Sequence, residues 1–319
     1  MKNPISKLGP DIIGFLELRE SLGYSRKSYE YQLSKIDAYV AEGFPSLDVM
    51  TEDIVLGWSR RRANESQNTR RIRLNVIRVF GKYQKGIGKT AFVLPTDFID
   101  KQQPFYPYLF TDEELSRLFL AVDSLPPHYQ SPNREYIIPV LFRMLYCCAL
   151  RPNEPMQLLR QDVDLEKGTL FIRNSKRHKD RMVTMTEDLL VLCRVYDSMM
   201  GDRRFFFEPP TEKPRQNREP WMNHQFNLCI KHAGIGNGTQ SPRPYDLRHS
   251  SCSRVILNWL AEGKDFYELA IFLREHMGHG SFSETFYYIH MLPENIIRNS
   301  GFDWSRFDCL YPEVNNEKA

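Results

Sequence analysis

Tyr245-Asp-Leu-Arg-His249, His276-Met-Gly-His279 and Tyr287-Tyr288-Ile-His290 are the segments around which we interpret this sequence. Arginine stays charged, and its planar fork matches two phosphate oxygens at once. A tyrosine hydroxyl, with a free pKa of about 10, attacks only when its proton is removed or when nearby cations favour the phenolate. Arginine, histidine and tyrosine in this order predict a site that holds a phosphodiester and attacks it with a phenol.

A second arginine for such a site occurs upstream, in Leu150-Arg151-Pro152-Asn-Glu154. An apolar helical pattern runs from about residue 135 to 149, and Pro152 suits the first turn of the helix that follows. We therefore expect Arg151 at a helix-to-helix corner beside a helix N-terminus, where an anion binds favourably.

A change from helical to alternating periodicity predicts a β-hairpin between the two arginines. Residues 169–173 and 182–185 are the strand candidates, and the basic segment from Asn174 to Arg181 joins them. Lys176 is expected on the tip, able to swing over a phosphate, although a hairpin lysine taken alone is equally typical of a solubilising surface. The other DNA contacts expected on this hairpin are Arg177, Lys179 and Arg181.

Length and composition fit two ordinary domains with real hydrophobic cores. The chain has 319 residues, of which 41% are hydrophobic, and a net charge of +3. The six cysteines lack the spacing of a zinc site or of a disulfide framework, which favours thiols in a reducing compartment. No apolar run approaches the roughly 18 residues of a membrane span, and the N-terminus lacks a signal-peptide core. We expect a cytoplasmic protein without membrane contact.

The N-terminal part of the sequence predicts a small helical domain. Residues 11–86 show four helical periods, with Ser25 and Thr51 as N-cap candidates. The segment from Phe92 to Leu109 contains three prolines and little helical period, which predicts a linker. The expected domains are therefore residues 1–104 and residues 105–319.

Positive charge is concentrated in the helical domain. Residues 60–89 contain ten Lys or Arg against one acid, Glu65. A solvated helix face would look similar, but the arginines crowd one helix end and the next helix start, as on a surface that follows a nucleic-acid backbone. The DNA contacts predicted here are Arg61, Arg62, Arg70, Arg71, Arg73 and Lys82.

These features together resemble the tyrosine recombinase family, also called phage integrases, over nearly the whole chain. Arg151 resembles the first arginine of that family, residues 175–185 its hairpin lysine segment and residues 246–249 its second arginine box. Residues 277–279 are similar to its leucine-glycine-histidine box, and Tyr288 stands where the nucleophile would stand. Each box is weak alone, but five in the right order after a helical arm form a specific pattern.

The resemblance implies a mainly α fold with a small antiparallel β-sheet. It implies a helical core-binding domain and a mixed α+β catalytic domain that clamp double-stranded DNA and recombine it through a 3′-phosphotyrosyl intermediate, without metal or other cofactor. Glu154 would brace the corner at Arg151, and His249 would pack against the site and orient it. The implied catalytic residues are Arg151, Lys176, Tyr245, Arg248, His279 and Tyr288.

Three departures from the family pattern matter. Tyr245 replaces the usual histidine, and a phenol is a poor proton acceptor at neutral pH. The span from Arg248 to His279 is longer than usual, which predicts a longer loop. Adjacent helical residues point about 100° apart, so only one tyrosine of the doublet can face the phosphate. The register from His279 favours Tyr288 and leaves Tyr287 a packing role.

Other functions remain open at this stage. A regulator could bind DNA on the same scaffold without cleaving it, a type IB topoisomerase would share the chemistry, and a metal-dependent hydrolase could use His276, His279 and His290. Integration, excision, resolution and transposition are not distinguished. By analogy with the family, the tail after Pro293 predicts exchange between subunits and a tetramer on two DNA sites, in a nucleoid-associated protein.

Overall fold

The computed structural model describes residues 4–101, 105–175, 179–208, 219–236 and 241–288. The chain forms two compact units, Met1–Phe105 and Tyr106–Ala319. Within the described ranges, no helix is both long and apolar enough to cross a membrane.

Four α-helices form the first unit within its described residues. They are α1 (Gly9–Ser21), α2 (Arg26–Gly43), α3 (Glu52–Ser59) and α4 (Gln67–Gly86). The side chain of Thr51 caps α3 by accepting a hydrogen bond from the Ile54 amide at 3.4 Å. The apolar faces of the helices meet in one core, where the Phe15 and Phe80 rings lie 5.6 Å apart, edge to face. The prediction of a helical N-terminal part is confirmed.

The prediction that Arg73 contacts DNA is wrong, because its side chain is buried. Its guanidinium forms two 2.7 Å hydrogen bonds with Glu65 and also donates to the carbonyl oxygens of Trp58 and Arg60. A buried guanidinium with its charge neutralised in this way ties α4 to the segment after α3. Arg61, Arg62 and Lys82 are exposed, whereas Arg70, which is paired with Asp100, and Arg71 are half-buried.

The second unit combines eight helices with three strands among its described residues. The helices are α5 (Asp112–Asp123), α6 (Arg134–Cys147), α7 (Asn153–Gln157), α8 (Glu187–Met200), α9 (Glu219–His232), α10 (Pro244–Ala261), α11 (Phe266–Met277) and α12 (Phe282–Phe286). Thr111 and Glu114 begin α5 with a capping box, in which each side chain binds the other's backbone amide.

The strands form one antiparallel sheet in the order β1 (Val163–Asp164), β2 (Thr169–Ser175) and β3 (Lys179–Thr184). In the β2–β3 hairpin, Ile172 is opposite Arg181. The first strand was not predicted, since two residues are too few to show alternation. A mainly helical fold with a small antiparallel sheet is confirmed.

Two hydrophobic clusters support the second unit. The larger one joins α5, α6, α8 and α9 to the sheet. The smaller one joins α10, α11 and α12, and it includes Ala149, Cys252, Phe266, Phe286 and Tyr288. The predicted catalytic segments lie at the edge of this smaller cluster.

Candidate active site

Arg151 lies at the corner between α6 and α7. Its backbone amide donates to Glu154 Oε2 at 2.7 Å, and its Nη1 donates to Glu154 Oε1 at 3.0 Å. Its Nη2 donates to the carbonyl oxygen of Gly278 at 2.7 Å. The guanidinium is therefore held between the start of α7 and the end of α11.

Glu154 is the shared anchor of two arginines. Arg181 donates to its two carboxylate oxygens at 2.7 and 2.8 Å, and to the carbonyl oxygen of His276 at 2.8 Å. Burial alone would raise the pKa of the Glu154 carboxyl, but hydrogen bonds and charge from Arg181, with the charge of Arg248, lower it to about 2. Glu154 is therefore ionised at neutral pH.

Arg181 was predicted as a DNA contact on the hairpin tip, and the structure contradicts this placement. It lies within β3, and its side chain is buried against Glu154 and Gly278. Gly278 has φ of +62°, and a Cβ there would lie 3.1 Å from the Arg181 side chain. The pairing of β2 with β3 directs Arg181 into the site, where it supports Glu154.

Arg248 is fully buried on α10. It donates to the carbonyl oxygens of Ala149 and, at 2.6 Å, of Met277. Burial lowers the pKa of the Arg248 guanidinium, but arginine keeps its charge in proteins. Ala149 adopts φ of +47°, which is uncommon outside glycine. That local conformation presents its carbonyl oxygen to Arg248.

His279 joins this arrangement directly after α11. Its Nε2 lies 3.3 Å from Arg248 Nη2, and its Nδ1 is 2.8 Å from the hydroxyl of Thr285. Thr285 is buried and fixes the orientation of the imidazole. Sequence reasoning missed this threonine, although it lies on α12 only six residues after His279.

Tyr288 is the tyrosine whose phenol interacts with Arg248. It is 3% exposed, whereas Tyr287 is 39% exposed. Burial raises the pKa of the Tyr288 hydroxyl, and the charge and hydrogen bonding of Arg248 oppose that rise. The Tyr288 ring stacks on His279 at 5.8 Å between centroids.

A cleft of about 340 Å³ brings the predicted residues together. Four of them line it, namely Arg151, Tyr245, His279 and Tyr288, with Ser283, Glu284 and Tyr287 completing the wall. Arg248 adjoins them through its contact with His279. Lys176 and Arg177, and the side chain of Lys179, lie outside the residues that the structure describes.

The histidines proposed for a metal-dependent hydrolase face different partners. Nε2 of His276 is 3.1 Å from the carbonyl oxygen of Cys148, whereas both ring nitrogens of His279 have the partners given above. His290 lies outside the described residues. In the part of the chain that is described, no cluster of three His, Cys, Asp or Glu side chains is arranged to hold a metal ion.

Known proteins are similar to this chain in sequence and in fold. Residues 109–295 match the model of the phage integrase family. The putative integrase/recombinase y4rB of Sinorhizobium fredii is 25% identical over 293 residues, 88% of this chain and 91% of that protein. Tyrosine recombinase XerA of Pyrococcus furiosus is 25% identical over 285 residues, 88% of each chain.

Two solved structures share the fold. XerH site-specific recombinase, bound to difH in a pre-cleavage complex, has a TM-score of 0.62 at 18% identity, covering 85% of this chain and 78% of that one. The Tn1549 transposon integrase, in complex with transposon right end DNA, has a TM-score of 0.61 at 14% identity, covering 94% and 99%. At these identities the likeness concerns the fold.

Proposed function

This chain belongs to the phage integrase family, and on that basis we propose that it recombines the DNA of a mobile element through a 3′-phosphotyrosyl intermediate. It is a tyrosine site-specific recombinase, an enzyme that breaks and rejoins DNA strands. The role in a mobile element, as integrase or transposase, is supported by the y4rB relative, which is named a putative integrase/recombinase.

The observation that carries the proposal is the convergence of two guanidinium groups on one tyrosine. Arg151 and Tyr288 line the same cleft, and Arg248 interacts with the phenol of Tyr288 from within the protein. Neighbouring positive charges in a partly desolvated site favour an anion that binds between them. A DNA phosphate is the anion that this family would bring there.

Each group has a role in the proposed step. Arg151 and Arg248 bind the non-bridging oxygens of the scissile phosphate, and His279 and Tyr245 donate hydrogen bonds to it. The Tyr288 hydroxyl forms a bond to phosphorus while the bond from phosphorus to the 5′ oxygen breaks. Lys176 protonates the departing 5′ oxygen, which is the task of a general acid.

The covalent intermediate conserves the energy of the broken bond. The phosphate is joined to Tyr288 at the 3′ side of the cut, and a free 5′ hydroxyl remains on the other side. A 5′ hydroxyl from another strand can attack the phosphotyrosine and restore the DNA backbone, so the exchange needs no nucleotide as an energy source.

Further contacts with double-stranded DNA are assigned to basic residues of both units. Arg62 is exposed, and its guanidinium lies over the Trp58 ring at 4.3 Å, which holds its charge close to the surface. In the same proposal, Arg61, Arg70, Arg71 and Lys82 of the first unit, with Arg177 and Lys179 of the hairpin, contact the DNA backbone. We also propose a homo-tetramer on two DNA sites, joined through the C-terminal tail, that works on DNA in the nucleoid.

A covalent-adduct assay tests the proposal. Nicked duplexes tiled across the DNA that flanks the coding sequence would be incubated with the wild-type protein, and any protein–DNA adduct would be mapped by peptide sequencing. We expect a phosphotyrosine at Tyr288, with no adduct from Tyr288→Phe and a normal adduct from the matched variant Tyr287→Phe.

Other results of this assay would point elsewhere. An adduct on Tyr287 would move the nucleophile by one position. Tight binding to one of the duplexes without any adduct would favour the non-cleaving DNA-binding regulator.

A further inference from the structure

Four aromatic rings contact one another in sequence at the active site, and three of them, Tyr245, Tyr288 and His279, line the cleft. The centroids of Tyr245 and His249 are 4.9 Å apart, and those of His249 and Tyr288 are 5.5 Å apart. The Tyr288 ring also stacks on His279. Tyr288 therefore contacts two imidazoles, one from α10 and one from the segment after α11.

The two imidazoles differ in how their nitrogens are satisfied. In His279, one ring nitrogen binds Thr285 and the other adjoins Arg248. The Nδ1 atom of His249 is buried and has no hydrogen-bond partner among the described residues, and the residue as a whole is only 8% exposed. An unsatisfied buried polar atom costs about 1–3 kcal/mol, so its presence beside Tyr288 suggests a function.

The surroundings of His249 keep its ring neutral. Burial lowers the pKa of His249 to about 4, and the charges of Arg248 and Arg243 act in the same direction. Among the described residues, the phenols of Tyr245 and Tyr288 also face it. A neutral imidazole has one ring nitrogen free to accept a proton, whereas a phenol such as Tyr245 accepts one poorly.

We propose that His249 accepts the phenolic proton of Tyr288 as this tyrosine attacks the phosphate. This role rests on the proposed function and fills the position of proton acceptor that Tyr245 leaves open. The oxygen–phosphorus bond to Tyr288 forms, the bond to the 5′ oxygen breaks, and the phenolic proton moves to the imidazole of His249. The departing 5′ oxygen takes its own proton from the general acid proposed above.

Binding of DNA should make His249 more basic, which favours its proposed role as proton acceptor. A phosphodiester held by Arg151 and Arg248 brings a negative charge next to the imidazole, and this charge offsets the field of the arginines. Proton acceptance by His249 therefore becomes more favourable when the substrate is in place. Before DNA binds, the same ring stays unprotonated and is able to accept a proton.

The matched variant for this proposal is His249→Phe, which keeps an aromatic ring between Tyr245 and Tyr288 but removes both nitrogens. Single-turnover adduct formation would be measured on a duplex that the wild-type protein cleaves. We expect the rate to fall by about 10²–10⁴-fold, the usual contribution of a positioned acid or base, with DNA affinity unchanged. A rate within a few-fold of wild type would reduce His249 to packing and overturn the proposal.

A modified substrate distinguishes a role of His249 in the attack by Tyr288 from a role in the departure of the 5′ oxygen. A duplex with sulfur in place of the bridging 5′ oxygen has a leaving group that needs no proton. The loss caused by His249→Phe should persist on this duplex, because His249 acts on the attacking phenol. Disappearance of the loss would assign His249 to the leaving group and overturn the proposal.

The second variant is His249→Ala, which is tested for rescue by added imidazole. His249→Ala opens space beside Tyr288, and imidazole should raise its adduct rate in proportion to the concentration of the neutral base. Absence of rescue in an Ala variant that binds DNA normally would overturn the proposal. If the wild-type protein itself formed no adduct, the proposed function would fail; a normal rate in His249→Phe would remove only the role of His249.

Discussion

Arg248 and His279 are 31 residues apart in the sequence, yet Nη2 of the arginine lies 3.3 Å from Nε2 of the histidine. The contact forms because α10 carries Arg248 into the protein beneath the end of α11, where His279 follows Gly278. Both side chains therefore approach one side of the cleft that Tyr288 lines.

Arg248→Lys keeps the positive charge but loses the fork that binds the carbonyl oxygens of Ala149 and Met277. We expect single-turnover adduct formation to fall by about 10²–10³-fold, as when one preorganised donor to the transition state is lost. DNA affinity should change little. Arg254→Lys, on the same helix but paired with Asp112 near the surface, is the control and should keep the wild-type rate. An active Arg248→Lys enzyme would contradict the assigned role.

Glu154→Gln should lower the free energy of unfolding at neutral pH by on the order of 3 kcal/mol, because it removes the charge that neutralises buried Arg181. The folded-state pKa of Glu154 is lowered to about 2 from an ordinary value of 4.5. The carboxylate therefore stabilises the fold above pH 4.5, and this stabilisation is lost as the pH falls from about 4.5 to about 2.

Chemical denaturation at several pH values measures this effect. The difference between wild type and Glu154→Gln should narrow below pH 4.5. Glu113→Gln, at an exposed position of α5, should have little effect on stability at any of these pH values. A difference that stays constant through the acid range would mean that the ionised carboxylate is not what stabilises the corner.

Thr285→Val removes the hydroxyl that holds His279 while keeping nearly the same shape. We expect the adduct rate to fall by about tenfold to a hundredfold, since an unpartnered Nδ1 costs about 1–3 kcal/mol and loosens the ring. Thr285→Ser keeps the hydroxyl and should retain most of the rate. Equal rates for the Val and Ser variants would show that the hydrogen bond to His279 has no part in catalysis.

Replacement by alanine should weaken DNA binding at Arg62 and lower stability at Arg73, although both residues belong to the same basic segment. Arg62→Ala should weaken DNA binding across sequences and reduce the slope of log affinity against log salt by about one, with little loss of stability. Arg73→Ala should destabilise the protein by about 3–5 kcal/mol, because it leaves Glu65 buried without its partner.

Salt titrations of DNA binding and denaturation curves for both variants check this pair. The contrary result would be an Arg73→Ala protein that is as stable as wild type and binds DNA with a smaller salt dependence. That result would return Arg73 to the DNA-binding surface on which the sequence had suggested it.

Structural features that depend on residues within one short segment could be predicted from the sequence. The cap at Thr51, the corner at Arg151 and the order of helices and hairpin all depend on neighbours within a few residues. Tyr288, which the register from His279 favoured, is the more buried tyrosine of the doublet. The doublet follows α12 rather than lying within a helix, and both tyrosines line the cleft. These local relationships need no knowledge of the tertiary fold.

Features that depend on distant partners could not be predicted. In the sequence, Arg73 resembles a surface charge, because its ion pair with Glu65 forms only in the folded protein. The one sequence feature that pointed to this pair is that Glu65 is the only acid among residues 60–89. Arg181 enters the site because it pairs with Ile172 across the hairpin. The carbonyl oxygens of Ala149, Met277 and Gly278 bind Arg248 and Arg151. Backbone contacts of this kind cannot be predicted from the pattern of side chains.

The most direct measurement is the position of the covalent bond between protein and DNA. Nicked duplex cleaved by the wild-type protein should leave phosphate on Tyr288, with Tyr287→Phe as active as wild type and Tyr288→Phe unable to form the adduct while binding the same duplex equally well. Unchanged adduct formation by Tyr288→Phe would contradict the central claim that Arg151 and Arg248 hold a phosphate for attack by this phenol.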